Sequence, residues 1–172
     1  MLRQFRSERY RIGVSKSMMN YRKAQMEDAE VVTDIVQRTK SEIYPRYYPK
    51  EIVDFFGQLH CYEHIIRDIQ KDMVYVLEVS GVIVGTGSYE RNHITRVYVL
   101  PQYQGKGYGS YILKELEKVI LRNYNSIILD ASLPACKFYE GNGYKTVRHE
   151  EYKCDNEAVL VYDVMEKQGR TL

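Results

Sequence analysis

The 172-residue chain has no tryptophan, only four prolines and only three cysteines, and it has almost no excess of either charge, with Lys+Arg 25 against Asp+Glu 23. A formal net charge of +2 lacks the basic excess of a nucleic-acid binder. No window approaches the ~18 consecutive apolar residues of a membrane span. Cys61, Cys136 and Cys154 are odd in number and show no C-x-x-C spacing, which fits reduced thiols in a cytoplasm rather than a disulfide framework. There is no internal repeat, low-complexity tract or linker inside residues 20–167. What is present is a soluble globular composition, 44% hydrophobic and 28% charged. A chain of this length buries roughly 70% of its unfolded surface and needs no metal or disulfide to hold a core.

The charge is unevenly placed. Residues 1–20 hold Arg3, Arg6, Arg9, Arg11 and Lys16 against Glu8 alone, an excess of four positive charges, so the remaining 152 residues sum to minus two. Leu2, Phe5, Ile12 and Val14 are scattered among the arginines and do not form the apolar stretch of a secretory signal. Residues 1–19 therefore read as a mobile basic extension, residues 20–167 as one domain and 168–172 as a tail.

Hydrophobic spacing gives the elements. Tyr21 to Ala24 reads as a short strand. Ala29, Val32, Ile35, Val36 and Ile43 recur at helical intervals. The segment Tyr44-Pro-Arg-Tyr-Tyr-Pro49 carries two helix breakers and reads as an aromatic loop. Ile52, Val53, Phe56, Leu59, Ile65, Ile66 and Ile69 predict one or two helices from Pro49 to Gln70. Runs 73–79 and 82–89 predict a hairpin across Ser80-Gly81, and a turn at Arg91-Asn92 leads into a strand over 94–100. Ile112, Leu113, Leu116, Val119 and Ile120 form the apolar stripe of an amphipathic helix. A strand over 126–130, a short helix over 134–140 and an antiparallel pair, 144–152 with 158–166, close the chain. If 158–166 lies at a sheet edge, it offers a pairing surface for a homodimer.

The segment Val97-Tyr-Val-Leu-Pro-Gln-Tyr-Gln-Gly-Lys-Gly-Tyr-Gly-Ser110 puts three glycines at alternate positions between a strand and that helix. Glycines let the backbone approach a ligand closely, and the unpaired N–H groups at a helix start attract an anion, with Lys106 as a nearby cation. The pattern fails GxxxxGK[ST], because Gly107 follows Lys106 and Leu100 stands where the first glycine should be. It fails the dinucleotide fingerprint too, with Ser110 in place of the third glycine.

Gln104-Gly-Lys-Gly107-Tyr-Gly109 does match (Q/R)xxGx(G/A) directly after a strand ending in Val99-Leu100-Pro101. Leu129-Asp-Ala-Ser-Leu-Pro-Ala-Cys-Lys-Phe-Tyr-Glu-Gly-Asn-Gly-Tyr144 adds a strand, a small polar residue and a short helix carrying Phe-Tyr before Gly-Tyr. Together these resemble the GNAT superfamily of acetyl-CoA-dependent N-acetyltransferases over about residues 20–167. The resemblance implies a mixed α/β fold: a central, mostly antiparallel twisted sheet of six to seven strands with helices on both faces. It implies acetyl-CoA as co-substrate, held by Val97, Tyr98, Val99, Gln104, Gly105, Lys106, Gly107, Tyr108, Gly109, Ser110 and Ser132. Ser132 stands where many members carry asparagine. The acceptor is implied to be a primary amine on a small molecule or peptide, and no metal is called for.

Acetyl transfer needs a stabilised oxyanion, a neutral amine and a proton for the leaving thiolate. By the resemblance, the Val99 N–H is the oxyanion donor and Tyr139 the general acid. A phenol with a pKa near 10 is protonated at neutral pH and can still donate to a thiolate. His93 or Glu90 are the candidates for the base, although both also suit an ordinary hairpin end. By the same resemblance, Tyr44, Tyr47, Tyr48 and Phe55 fall in the region that closes over the acceptor.

Two rival readings stand beside this one. A non-catalytic acyl-CoA sensor would have no need of the Phe138-Tyr139 pair. His60-Cys-Tyr-Glu-His64 satisfies HxxEH, a zinc-hydrolase pattern with Glu63 as base. It lacks an evident third ligand and leaves the glycine loop unexplained; its other reading is a helix face beside the acceptor cleft.

Overall fold

The computed structural model describes residues 19–154 and 157–169. The basic extension expected over 1–19 lies outside the described residues except for Met19, as does the Asp155-Asn156 turn. Among the described residues seven strands form one sheet, β1 (Met19–Lys23), β2 (Val74–Val79), β3 (Val82–Glu90), β4 (His93–Val99), β5 (Ser126–Ala131), β6 (Lys145–Lys153) and β7 (Val159–Gln168). Five α-helices accompany them among the described residues: α1 (Ala29–Ile43), α2 (Lys50–Leu59), α3 (Tyr62–Gln70), α4 (Tyr108–Ile120) and α5 (Cys136–Gly141). The spatial order is β1-β2-β3-β4-β5-β7-β6, and only the β4–β5 pair is parallel.

The strand 158–166 is not at an edge. It is β7, paired on one side with β5 and on the other with β6, so the edges are β1 and β6. The crossover through α5 inserts the last strand beside β5. The strand also runs to Gln168, and the Gly169 N–H donates to the Asn125 carbonyl at 2.7 Å, so the first residues of the expected tail belong to the domain.

Local chemistry accounts for the elements. Ser80 and Gly81 both take positive φ, 52° and 81°, the geometry that matches hairpin twist. The stripe Ile112, Leu113, Leu116 and Ile120 seats α4 on one face of the sheet against Leu77, Val84, Ile94, Ile127, Leu129 and Met165. Each such side chain contributes about 1.5–3 kcal/mol by burial. On the other face α1 and α3 pack Val32, Val36, Ile65 and Ile69 against Val74 and Val76 of β2. A third cluster joins Tyr44, Tyr48, Ile52 and Phe56 to Cys154 and Leu160.

One irregularity creates the site. Ser88 pairs with Arg96 and Tyr89 with Ile94, which leaves Thr95 as an extra residue in β4, its hydroxyl 2.7 Å from that of Ser88. This bulge shifts the alternation, so Ile94, Val97 and Val99 all face α4 while Arg96 and Tyr98 face the α1/α3 side. Beyond the bulge β4 leaves β5: the two are paired only at His93↔Ile128 and Ile94↔Leu129. A wedge opens between residues 95–99 and the end of β5.

Candidate active site

The Leu100 N–H still donates to Val84 on β3 at 2.9 Å. Backbone groups alternate along an antiparallel strand, so those of Tyr98 also point to β3 and those of Val97 and Val99 point into the wedge. Of the three backbones implied to hold the donor, Val97 and Val99 are thus placed to do so. Tyr98 is not; it contributes its phenol to the wall instead. The Val99 carbonyl is already occupied, accepting from Thr39 Oγ1 at 3.2 Å and Gln104 Nε2 at 2.8 Å. The Gln104 side chain therefore braces the loop, a role its spacing alone did not reveal.

Gly105 and Gly107 carry φ of 74° and 86°, a region other residues enter only with strain. Gly107 is the N-cap of α4, without a side-chain cap, and no acid stands in the first helical turn. The N–H groups that open α4 are left for an anion. Lys106 is exposed, its Nζ 5.2 Å above the Tyr103 ring, and the Tyr108 side chain is buried in the core. Neither side chain is on the wall of the wedge; Gln104, Gly105, Gly107, Gly109 and Ser110 are. A Cβ on Gly109 would lie 3.3 Å from the Phe138 ring, so α5 presses directly on the loop.

Between these parts lies a cavity of about 930 Å³, reached by both the glycine loop and the α1–α2 region. Tyr139, 8% exposed, lines it, stacked edge-on to Phe138 and Tyr144. Burial first, then Tyr44 and Cys136, push its phenol above the ordinary range, so it keeps its proton at neutral pH. The Tyr44 hydroxyl lies 3.2 Å from those of both Tyr98 and Ser132, linking the two sides of the wedge. Ser132 is thus engaged by Tyr44.

The acceptor-side tyrosines separate by helical geometry. The chain continues beyond α1 in a tight turn over Tyr44–Arg46, and the Tyr48 N–H bonds the Tyr44 carbonyl at 2.9 Å. Tyr44 and Tyr48 consequently share the inward face while Tyr47, 52% exposed, points away from the cavity. Tyr48 is a strut: its hydroxyl accepts the Leu133 N–H at 2.7 Å, and burial raises its pKa to about 12. Of the four expected residues, Tyr44 and Phe55 reach the cavity. Tyr152, stacked on Phe55 at 5.3 Å, and Leu160 and Tyr162 complete that wall from β6 and β7, far away in sequence.

His93 lines the cavity, Nε2 3.4 Å from Asp130 Oδ2. Glu90 does not; it is exposed and borders a shallow dent beside the Arg91-Asn92 turn. The Cys136 thiol sits 3.8 Å from Asp163 Oδ2, and burial followed by that carboxylate raises its pKa to about 11, which keeps it a poor nucleophile.

His60 and His64 are not on one helix, because α2 ends at Leu59 and α3 starts at Tyr62. His64 Nδ1 is 2.9 Å from the Leu59 carbonyl, and the Arg96 guanidinium stands 3.5 Å from His60 Nδ1, where a cation would compete with any metal. Among the described residues no group of three His, Cys, Asp or Glu could hold a metal ion. The zinc reading is set aside, and His60 is a wall residue of the cavity. Arg96 and the buried Lys40 behind it were not legible as site residues. Lys40 does follow Val32 and Val36 at intervals of four along the inward stripe of α1, and that was the available signal.

Comparison with known proteins agrees with this geometry. An N-acetyltransferase of Escherichia coli (strain K12), YafP, itself uncharacterized, is 29% identical over 86 residues, which is 50% of this chain and 55% of that protein. The chain thus spans about half the length of this relative. The crystal structure of a GCN5-related N-acetyltransferase from Rhodopseudomonas palustris superposes with a TM-score of 0.79 at 24% identity, covering 87% of this chain and 94% of that one. PaiA N-acetyltransferase from Thermoplasma acidophilum, solved in complex with coenzyme A, gives 0.69 at 19% identity over 87% and 98%. The yncA structure from Salmonella typhimurium, solved with its cofactor acetyl-CoA, gives 0.63 at 19% identity over 88% and 94%. Residues 43–162 match the family described as Acetyltransferase (GNAT) domain, and the chain belongs to that family.

Proposed function

We propose that this protein transfers the acetyl group of acetyl-CoA to a primary amine by direct attack, with donor and acceptor bound together. The observation that carries the reading is the wedge: the Val97 backbone and the Val99 N–H, facing the gap where β4 has parted from β5, lead straight into an uncapped helix start formed by Gly107. That is a track of donors and acceptors for an amide-rich arm ending in a site for its phosphates. Acetyl-CoA supplies an activated thioester. The Val99 N–H donates to the carbonyl oxygen as charge gathers there. The amine lone pair forms the new C–N bond, the C–S bond breaks, and the Tyr139 proton passes to the sulfur. His93, held by Asp130, takes the proton that the amine loses. A sensor that only binds acyl-CoA would need neither Tyr139 at the wall nor an open acceptor side.

Calorimetric titration with acetyl-CoA, CoA and ATP tests the donor site. Binding of both CoA species and not ATP is expected, with thiol release on addition of amines; failure of both to bind overturns the proposal.

A further inference from the structure

The cavity wall built from α1, the α2–α3 junction and β4 carries one arginine, and a lysine of α1 is buried behind it. Arg96, its side chain 3% exposed, bonds Ser88 Oγ through Nε at 3.0 Å and Asp68 through Nη2. Its remaining Nη1 has, among the described residues, one contact, at 3.5 Å to His60 Nδ1. Behind this wall Lys40, 2% exposed, donates to the Phe56 carbonyl at 2.5 Å, and no carboxylate of the described residues lies within 4 Å of its ammonium. Asp68 is shared between Arg96 and Arg67. Asp130 is the sole carboxylate among the residues lining the cavity, and it is turned to His93 and about half exposed.

A buried lysine without an anion gives up its proton readily, and an arginine on a cavity wall whose Nη1 meets one distant acceptor is short of a partner. An anionic oxygen of the acceptor placed at Arg96 Nη1 and His60 would supply that partner and would also favour the charged form of Lys40 behind them. The neighbouring wall, Phe55, Phe56, Leu59 and Tyr152, is apolar and aromatic and would take a hydrocarbon side chain.

Building on the acetyl-transfer reading above, we infer that the acceptor is an amine that also carries a carboxylate, an amino acid or the free end of a short peptide, held at the Arg96–His60 wall. Polyamines and other polycations meet like charge there and are poor acceptors.

The test is thiol release from acetyl-CoA with a panel of L-amino acids and dipeptides. Each amino acid is paired with its amide and its decarboxylated amine, and spermidine serves as the polycation. The best amino acid or dipeptide is expected to exceed its amide by about 30-fold or more in kcat/KM, because a site built to pair a group rejects the analogue lacking it. In Lys40→Met this preference falls about tenfold while CoA affinity is unchanged. If Lys40→Met does not fold, as judged by loss of CoA affinity, His60→Gln gives the same readout. Amides, decarboxylated amines or spermidine turned over as well as the acids would overturn the inference, as would an unchanged preference in the variants. CoA binding with no turnover of any carboxylate-bearing amine would overturn it as well. Absence of CoA binding would instead bring down the parent reading.

Discussion

Replacing Lys40 by methionine removes a charge and little volume. Burial, with Arg96 as the second cause, brings the Lys40 pKa from 10.5 down to about 7. Between those two values the unfolded chain holds a proton that the folded chain has released, so stability rises with pH across this window. Below about pH 7 the deficit is fully present; above 10.5 it has vanished. At pH 7 the difference is about three pH units of proton affinity, or about 4 kcal/mol, and at pH 9 about half of that. The wild-type protein should therefore gain about 2 kcal/mol over the variant on going from pH 7 to pH 9. The lost bond to the Phe56 carbonyl offsets both measurements alike and cancels in the comparison. With a urea m-value of about 2 kcal/mol/M, this is a relative midpoint shift of about 1 M. Urea unfolding of both proteins at pH 7, 8 and 9 reads it directly. Parallel pH dependences would show that Lys40 is not a desolvated cation, and the charge argument for the acceptor would lose one of its two supports.

Tyr139→Phe should lower kcat by about 10²-fold or more and leave the calorimetric affinity for acetyl-CoA unchanged; equal turnover removes the phenol from the chemistry. Gly107→Ala places a side chain at φ 86°, a strain of about 1–2 kcal/mol that the chain relieves by abandoning the loop shape. Its affinity for acetyl-CoA should fall about tenfold, and a value within twofold of the parent would mean that loop shape does not hold the phosphates. Tyr48→Phe leaves the Leu133 N–H without its acceptor and should cost about 1–2 kcal/mol of stability in urea; no change would show that water replaces the phenol.

Elements with strong periodicity were readable from the residues. The α4 stripe, the β2–β3 turn and the glycine loop each follow from local chemistry, and the structure places them within a residue or two of the expected bounds. Features that depend on what a residue meets across the fold were not. Arg96 in His-Ile-Thr-Arg-Val-Tyr-Val carries no local signal of its surroundings, and the partner Asp68 on α3 shows why it is buried. The prolines at 45 and 49 marked a loop, whereas the chain there takes one more helical turn, which separates Tyr47 from Tyr44 and Tyr48. The position of 158–166 was missed for a similar reason: spacing predicts that a strand exists, and the α5 crossover decides which neighbours it has.

The supernumerary Thr95 acts as a parity switch for the sheet. Upstream of it, odd and even positions of β4 have one assignment to the two faces; downstream the assignment is inverted. Deleting that one residue would leave the faces as they are, since Arg96 would then follow Ile94 directly and the plain alternation of a strand keeps Arg96 and Tyr98 opposite Ile94, Val97 and Val99, but it would take away the bulge. It would also remove the reason for β4 to part from β5. The extra residue thus sets where the strand bends and leaves its neighbour while both faces stay in order, so the length of this strand is as much a functional parameter as any side chain it carries.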